Sequence, residues 1–363
     1  MLRSLLASLL LVAPVGAVEI DVAIREGVAF LVKNQNKDGS FGARTSGRTY
    51  EVTSAVPGGH YAFQAATTAL CWLGLDDSPH KTEASKKAQA RALDWLVKNA
   101  RVKRAHGGQL YNTWSFGYGL HALARAYRKS KREDVKKTAE SILAAIARYQ
   151  TPDGGWGYYD FGVRAARPEW STSFSTATIV VALKEAEIAG LTVSPKVVDK
   201  AITNIKRCRK PDGTYLYGMY MRYRPMHGVN QPQGSALRVQ SCGLALQRYG
   251  HLGLKELRAG LEMLHKHERF SLAGVRRPIP HESWYAVSGY FYLYGYRYAA
   301  SVLKQLPKAE RPRHAKRIAA AVLKTRQPDG SFWDYPLYGY HKFYGTGYAL
   351  MALARCAACS SAD

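Results

Sequence analysis

The chain has 363 residues, with 47% hydrophobic and 22% charged content, a makeup that excludes a disordered or low-complexity protein. Its net charge of +25 would draw in anionic polymers or surfaces, and past the N-terminus no stretch approaches the roughly 20 apolar residues of a membrane span. At about 150 residues per domain the length allows two domains, a count that an internal repeat can override.

Met1-Leu2-Arg3 is a short basic start, Leu5 to Val12 is an apolar run, and Val15-Gly16-Ala17 is a small-residue cleavage site. Residues 1–17 therefore read as a signal peptide, whose loss removes Arg3 and leaves a charge of +24. No cysteine follows to carry a lipid anchor. The expectation is a soluble, secreted protein, periplasmic or extracellular, for which nucleic acid is not a partner. Clusters such as Lys81, Lys86, Lys87 and Arg91, then Arg125, Arg128, Lys131 and Arg132, read as a solvated rim of helix faces or as a peripheral contact for an anionic surface.

One turn recurs along the chain. It is written as Asn36-Lys37-Asp38-Gly39-Ser40-Phe41, Thr151-Pro152-Asp153-Gly154-Gly155-Trp156, Lys210-Pro211-Asp212-Gly213-Thr214-Tyr215 and Gln327-Pro328-Asp329-Gly330-Ser331-Phe332. Proline presets φ, aspartate bonds nearby backbone, glycine takes conformations closed to other residues, and the aromatic anchors the turn. Asp38 to Asp153 spans 115 residues, Asp153 to Asp212 spans 59, and Asp212 to Asp329 spans 117. The long gaps are close to twice the short one, so the register is one of six units of about 58 residues, two of which have lost the signature.

Each unit leads with an amphipathic helix, as in Val135, Ala139, Ile142 and Ile146, and follows its turn with an aromatic-rich loop. The second helix is apolar around its circumference, as in Thr176 to Leu183 and Gly347 to Ala354, and so is buried all round. First helices form an outer ring and second helices an inner ring. The fold class is all-α, an (α/α)6 toroid of six hairpins in one domain over residues 18–357, with a tail at 358–363. Unit two passes through His106-Gly107-Gly108, and unit five through a loop at Phe270 to Gly274. Tyr290, Tyr292, Tyr294, Tyr296 and Tyr298 alternate with the period of a strand, but the repeat phase places an inner helix there.

Five cysteines are an odd number for an oxidising compartment. Cys356 and Cys359 read as a local disulfide or as two inert small residues, and Cys71, Cys208 and Cys242 as core.

Turns of the form Gln-x-Pro-Asp-Gly-Gly-Trp between paired helices resemble those of the squalene and oxidosqualene cyclases and of the protein prenyltransferase β-subunits. Gln150 to Trp156 is the nearest match and Gln35 to Phe41 the next; Arg209 and Arg326 stand at the glutamine position of the other two. Thr346-Gly347-Tyr348-Ala349-Leu350 is similar to the inner-helix starts of that superfamily, and the likeness runs over about residues 20 to 357. The resemblance implies the toroid and a central cavity for an elongated, apolar, isoprenoid-like ligand. The cyclases' Asp-x-Asp-Asp acid is not found: Asp76-Asp77 lacks the remaining aspartate. Neither is the Asp, Cys and His zinc set of the prenyltransferases, so catalysis is left open and no metal or cofactor is expected. Some exported pectate lyases have helical toroids with a similar Gly-Gly-Trp turn, which implies an anionic glycan as the alternative ligand.

The cavity of a toroid is lined by the loops and the first turns of the inner helices. Those places hold His60, Tyr61 and Gln64; Trp114, Tyr118 and His121; Trp170; Arg238 and Gln240; His281, Trp284 and Tyr285; and Tyr340. Aromatics beside histidines suit a ligand pocket, and equally a packed interface. The catalytic candidates are Glu282, Asp334, His341 and Tyr344. Three readings stand. Aromatic walls could steady a carbocation formed by Glu169, Glu282 or Asp334. Tyr, His and Arg could drive β-elimination on an acidic polysaccharide. A non-catalytic ring could bind a ligand or partner. His265-Lys266-His267 reads as a surface pair whose side chains point apart, and no phosphate loop, His-Glu-x-x-His or nucleophile elbow is present.

Overall fold

The computed structural model describes residues 16–43, 59–104, 107–108, 110–160, 162, 168–282, 284–337 and 339–360. The apolar run of the expected signal peptide and His106 lie outside the described residues. Thirteen α-helices make up the described fold, and its extended pairing amounts to three isolated bridges, Trp156 with Thr172, Arg209 with Tyr215 and Arg326 with Phe332.

Six outer helices alternate with six inner ones. The outer helices are α1 (Ala17–Lys33), α3 (Glu83–Asn99), α5 (Glu133–Arg148), α7 (Pro195–Cys208), α9 (Leu254–Lys266) and α12 (Arg311–Leu323). The inner helices are α2 (His60–Asp77), α4 (Asn112–Ser130), α6 (Ser173–Ile188), α8 (Pro232–Arg248), α11 (Tyr292–Leu303) and α13 (His341–Ser360). The short α10 (Glu268–Ala273) replaces the loop expected in the fifth unit. Helix α13 also runs through the first residues assigned to a tail.

Patterning explains which helix goes where. In α5 only Val135, Ala139, Ile142, Ala145 and Ile146 are buried, one stripe with acidic residues in the first turn and Arg148 in the last. In α6 every residue from Ser173 to Leu183 is buried. Such a helix must be surrounded. Each inner helix packs on the next, and α13 returns to α2, so the inner ring closes. Outer helices α3, α5, α7 and α9 sit behind the inner helix before them, α12 packs more on α13 than on α11, and α1 packs on α13, so the first helix seals the ring behind the last. The tyrosine run takes the helical reading: Tyr294 and Tyr298 face the ring's interior, while Tyr292 bonds the Ala321 carbonyl of α12 on the outside at 3.1 Å.

The recurrent turn docks onto the next outer helix. Gly39, Gly154 and Gly330 all have positive φ, and a Cβ on them would meet the carbonyl oxygens of Arg91, Lys200 and Glu26 at 2.6, 2.5 and 2.9 Å. Glycine is therefore required twice over, by φ and by close approach. Gln35 Nε2 donates to the Ala88 carbonyl at 2.8 Å and Gln150 Nε2 to that of Val197 at 2.9 Å, which gives the glutamine its purpose. Where arginine replaces glutamine, Arg326 pairs with Glu26 of α1 instead. The Asp212 turn differs: nothing lies within 4 Å of a Cβ on Gly213, and a hollow of about 320 Å3 separates it from α9.

All five cysteines are buried as thiols, the second of the two readings for Cys356 and Cys359. His265 corrects another expectation. It is buried, and its Nε2 lies 3.1 Å from Nδ1 of His314 across the α9–α12 seam. The helix turns that residue inward, so only His267 of the supposed pair faces solvent more freely.

Candidate functional site

Within the inner ring, side chains sort by depth because α2, α4, α6, α11 and α13 run in the same direction. Their N-terminal turns meet around a cavity of about 550 Å3. Phe63 and Thr67 come from α2, Trp114 and Tyr118 from α4, Phe174 from α6, Tyr294 from α11, and Tyr344 and Tyr348 from α13; Tyr111, Tyr158, Tyr290, Phe291 and Tyr335 complete an aromatic wall. Trp114 stacks near Tyr118, Tyr158 and Phe174 with ring centres 5.8–6.1 Å apart. Pro278, Pro280, Pro336 and Leu337 add apolar surface. Among the described residues no aspartate, glutamate, lysine or arginine lines the cavity.

At the base of the cavity hydroxyls pair with one another. Tyr118 and Tyr348 share a hydrogen bond, Tyr294 lies 3.1 Å from Thr178 Oγ1, and Tyr298 donates to the same Thr178 oxygen at 3.2 Å. Burial pushes the phenols of Tyr118, Tyr294 and Tyr348 up, so these three stay protonated as donors in an otherwise apolar space. Beneath them the C-terminal turns of the inner helices bring charges together. Arg125 bonds Asp77 at 2.6 Å and Asp76 at 2.8 Å, Arg355 reaches Asp77 at 2.5 Å, and Arg248 reaches Glu185 at 2.5 Å. Asp76-Asp77 is thus part of an ion-pair layer at the end of α2, where both carboxylates are engaged by cations. Arg125, expected on a solvated rim, is in that layer too.

A second polar feature lies beside the cavity entrance. His281 has a left-handed φ of 60° and places Nδ1 2.6 Å from the Ala286 carbonyl. Nδ1 therefore holds the proton, and Nε2 accepts from the Tyr290 hydroxyl at 2.7 Å. Tyr217, 3.5 Å from the same Nε2, lies 2.5 Å from the Tyr158 hydroxyl. Burial holds the imidazole below its usual pKa, so it is neutral at neutral pH. With both ring nitrogens engaged, His281 fixes the Tyr290 hydroxyl, whose oxygen can still accept a hydrogen bond from a hydroxyl group of a ligand.

Four of the expected residues line the cavity: Trp114, Tyr118, His281 and Tyr344. Tyr340 is buried against Phe63 just behind. Asp334 is fully buried, accepting from the Leu293 N–H at 2.8 Å and from the Tyr344 hydroxyl at 2.9 Å. Burial pushes its carboxyl up to about 7. It lies behind the wall, with Tyr344 between it and the space.

The others are elsewhere. Gln64 bonds Ser40 and Gln240 bonds the Gly260 carbonyl of α9, so both glutamines face the outer layer. Arg238 sits behind Tyr217 and Phe291, donating to the carbonyls of Gly234, Tyr215 and Val229. His121 lies two helical turns in from Trp114, where burial and the arginines push its imidazole well below the usual value. His60 stacks on Tyr61, which is half exposed; Trp170 packs on Tyr220, and Tyr285 on Phe270. His341 rests its ring edge on Trp333 with Nδ1 by the Leu337 carbonyl. Glu282 is exposed and paired with Arg277, and neither it nor Glu169 lines the cavity. Sequence reasoning missed Phe63, Phe174, Tyr294 and Tyr348. Spacing could have found two of them: Tyr348 is one helical turn beyond Tyr344, and Tyr294 one beyond Tyr290.

Trp284 is 85% exposed and is no cavity residue. Its carbonyl packs against Gly228, near exposed Tyr223 and Met226, and Ile279 stands exposed between the two cavity prolines. Arg222, Arg224, Arg276 and Arg277 are exposed among these apolar side chains.

Solved structures share this fold. The type II terpene cyclase MstE from Scytonema superposes with a TM-score of 0.55 at 14% identity, over 94% of this chain and 99% of that one. The fold is the terpene-cyclase-like α/α toroid. The α-1,6-mannanase GH76A of Salegentibacter sp. HEL1_6 has the same toroid, with a TM-score of 0.59 at 11% identity over 94% of this chain and 99% of its own. In sequence, the toroid is 26% identical over 200 residues to a drimenyl diphosphate synthase of Streptomyces showdoensis. That match covers 53% of the chain and 32% of the synthase, so the toroid spans about a third of the relative's length. No family model matches. Among the described residues no helix is long and apolar enough to cross a membrane.

Proposed function

We propose that the toroid binds an elongated, uncharged, isoprenoid-like molecule in its central cavity. One observation carries the reading: a space of about 550 Å3, within the size range of small-molecule sites, walled by aromatic rings, prolines and leucines with no charged side chain among the described residues. An apolar chain would gain roughly 25 cal/mol for each Å2 it hides there. The Tyr290 hydroxyl oxygen, held in place by His281, would accept from a hydroxyl at the one polar end. MstE, also determined with geranylgeranyl dihydroxybenzoate, holds an isoprenoid chain in the same fold, which supports the reading.

The glycan readings fare worse. Glycosidases flank their bond with two carboxylates, and a lyase needs a cation for the substrate carboxylate. Here Glu282 is outside the cavity, Asp334 is behind Tyr344, and Arg238 is behind Tyr217 and Phe291 with its Nη donors on backbone carbonyls. The same placement leaves a carbocation route without an acid touching the ligand, so the proposed role is binding. We further propose that the protein is exported and that the apolar and arginine-bearing rim around Trp284 rests on an anionic lipid surface from which the ligand enters.

The test is extraction and native mass spectrometry of the purified protein, followed by titration with farnesol and geranylgeraniol using tryptophan fluorescence. A bound lipid, or saturable quenching by the alcohols, is the expected result. An empty protein that binds neither alcohol, or one that turns over an anionic glycan, overturns the reading.

A further inference from the structure

The charged layer beneath the cavity holds more cations than carboxylates. Its largely buried members are Arg125, Arg248, Arg297 and Arg355 against Asp76, Asp77 and Glu185. All three carboxylates are already engaged: Asp76 by Arg125 and Lys129, Asp77 by Arg125 and Arg355, and Glu185 by Arg248. Lys129 is half exposed and solvated. Arg297 is neither paired with them nor solvated.

Arg297 comes from the middle of α11 and is 1% exposed. Its Nε and Nη1 donors have no acceptor among the described residues. Its guanidinium carbon stands 4.2 Å from the centre of the Tyr298 ring, a cation–π contact. The desolvation cost of an uncompensated buried charge exceeds what such a contact returns. Its charge acts on Asp77, on the neutral His121 and on Tyr118, which places it at the centre of the layer.

We infer that Arg297 holds a small monovalent anion of halide size. One negative charge matches the single buried guanidinium that no carboxylate engages. Nε and Nη1 supply two charged donors to it. The paired Tyr118 and Tyr348 hydroxyls stand between this level and the cavity, which favours an ion over an organic acid. Such an anion ties the inner halves of α2, α4, α11 and α13 together, a role separate from whatever occupies the cavity above.

The experiment compares melting of the full chain in sodium chloride and in sodium gluconate at equal ionic strength, and locates bromide by anomalous scattering in soaked crystals. The expected result is a melting midpoint higher in chloride by on the order of 3 °C or more at saturation, lost in Arg297→Met, with a bromide peak beside the wild-type guanidinium. Equal midpoints in the two salts, or water in place of bromide at Arg297, overturn the inference. The bromide measurement on wild-type protein decides it even if Arg297→Met fails to fold.

Discussion

The Tyr344 hydroxyl donates to Oδ1 of Asp334 at 2.9 Å, which holds a fully buried carboxyl one side chain behind the cavity wall. The other carboxyl oxygen accepts the Leu293 N–H at 2.8 Å. Burial outweighs these hydrogen bonds and pushes the group up to about 7. In the unfolded chain it titrates near 3.9. The native state therefore binds the extra proton between about pH 4 and pH 7. This contribution is fully present below pH 4 and is lost as pH rises through 7, a cost of roughly 4 kcal/mol at 1.36 kcal/mol per pKa unit. Asp334→Asn keeps the acceptor for Leu293 and removes the titrating carboxyl. Urea unfolding at pH 5 and pH 8 should show wild type losing stability with rising pH and the asparagine variant nearly flat. An unchanged slope in the variant refutes the assignment.

The ion-pair layer has the opposite sign. Burial opposes the ionised form of Asp77, but Arg355 and Arg125 overcome it and hold the carboxyl below its usual range; Arg248 does the same for Glu185. Their contribution is present above the unfolded values and is lost as pH falls through the lowered folded ones. Acid unfolding should therefore begin below about pH 4, on the other side of the Asp334 window. Asp77→Asn leaves Arg355 without its bonded carboxylate and should cost about 3–5 kcal/mol at pH 7. A loss under about 1 kcal/mol by urea titration would show that solvent reaches the layer.

The repeating turn allows a matched pair of substitutions. Gly154 and Gly213 both have positive φ, but only Gly154 faces a carbonyl, that of Lys200. Gly213→Ala should cost about 1–2 kcal/mol, the left-handed penalty alone. Gly154→Ala must also push α7 away and should cost at least about 1 kcal/mol more. Equal losses would mean that the docked turns add nothing to the closure of the ring.

The hairpins were legible because each depends on local spacing: a turn with Asp-Gly at its centre, one stripe of apolar residues before it and an all-round apolar helix after it. Depth along the inner helices was not legible in the same way. His121 and Tyr118 are three residues apart on α4, yet one lies below the hydroxyl pair and the other lines the cavity. Which inner-helix polar residue meets the ligand depends on the register of six helices against one another, and that is fixed by packing between units distant in the chain. Arg238 and Gln240 illustrate the same point. Their neighbours along α8 gave no sign that one would turn to loop carbonyls and the other to α9.

The rim predicts a surface-binding phenotype. Trp284 and Met226 are 85% and 76% exposed, with arginines beside them. Replacing both by serine should weaken sedimentation with vesicles containing phosphatidylglycerol, leave melting within about 1 °C, and leave binding of soluble farnesol unchanged, since surface substitutions away from structural features are nearly neutral. Equal vesicle binding by the double variant removes the rim from the proposal.

Cavity occlusion separates the binding reading from its rivals. Ala66 lines the cavity from α2, opposite no charged group, and is 6% exposed. Ala66→Phe would project a ring into the apolar space, taking up volume the ligand needs while adding contacts of its own. The variant should therefore melt within a few degrees of wild type but copurify with no lipid and bind farnesol at least about tenfold more weakly, or roughly 1.4 kcal/mol. Thermal scanning and lipid extraction, done on the same preparation, read both effects. A variant that folds and still carries the wild-type lipid places the ligand outside this cavity. A variant that loses the lipid and its stability together is answered by Ala66→Leu, a smaller intrusion that should give an intermediate loss of farnesol affinity with melting intact. That graded response is what a filled cavity demands, and a rim-bound ligand would not show it.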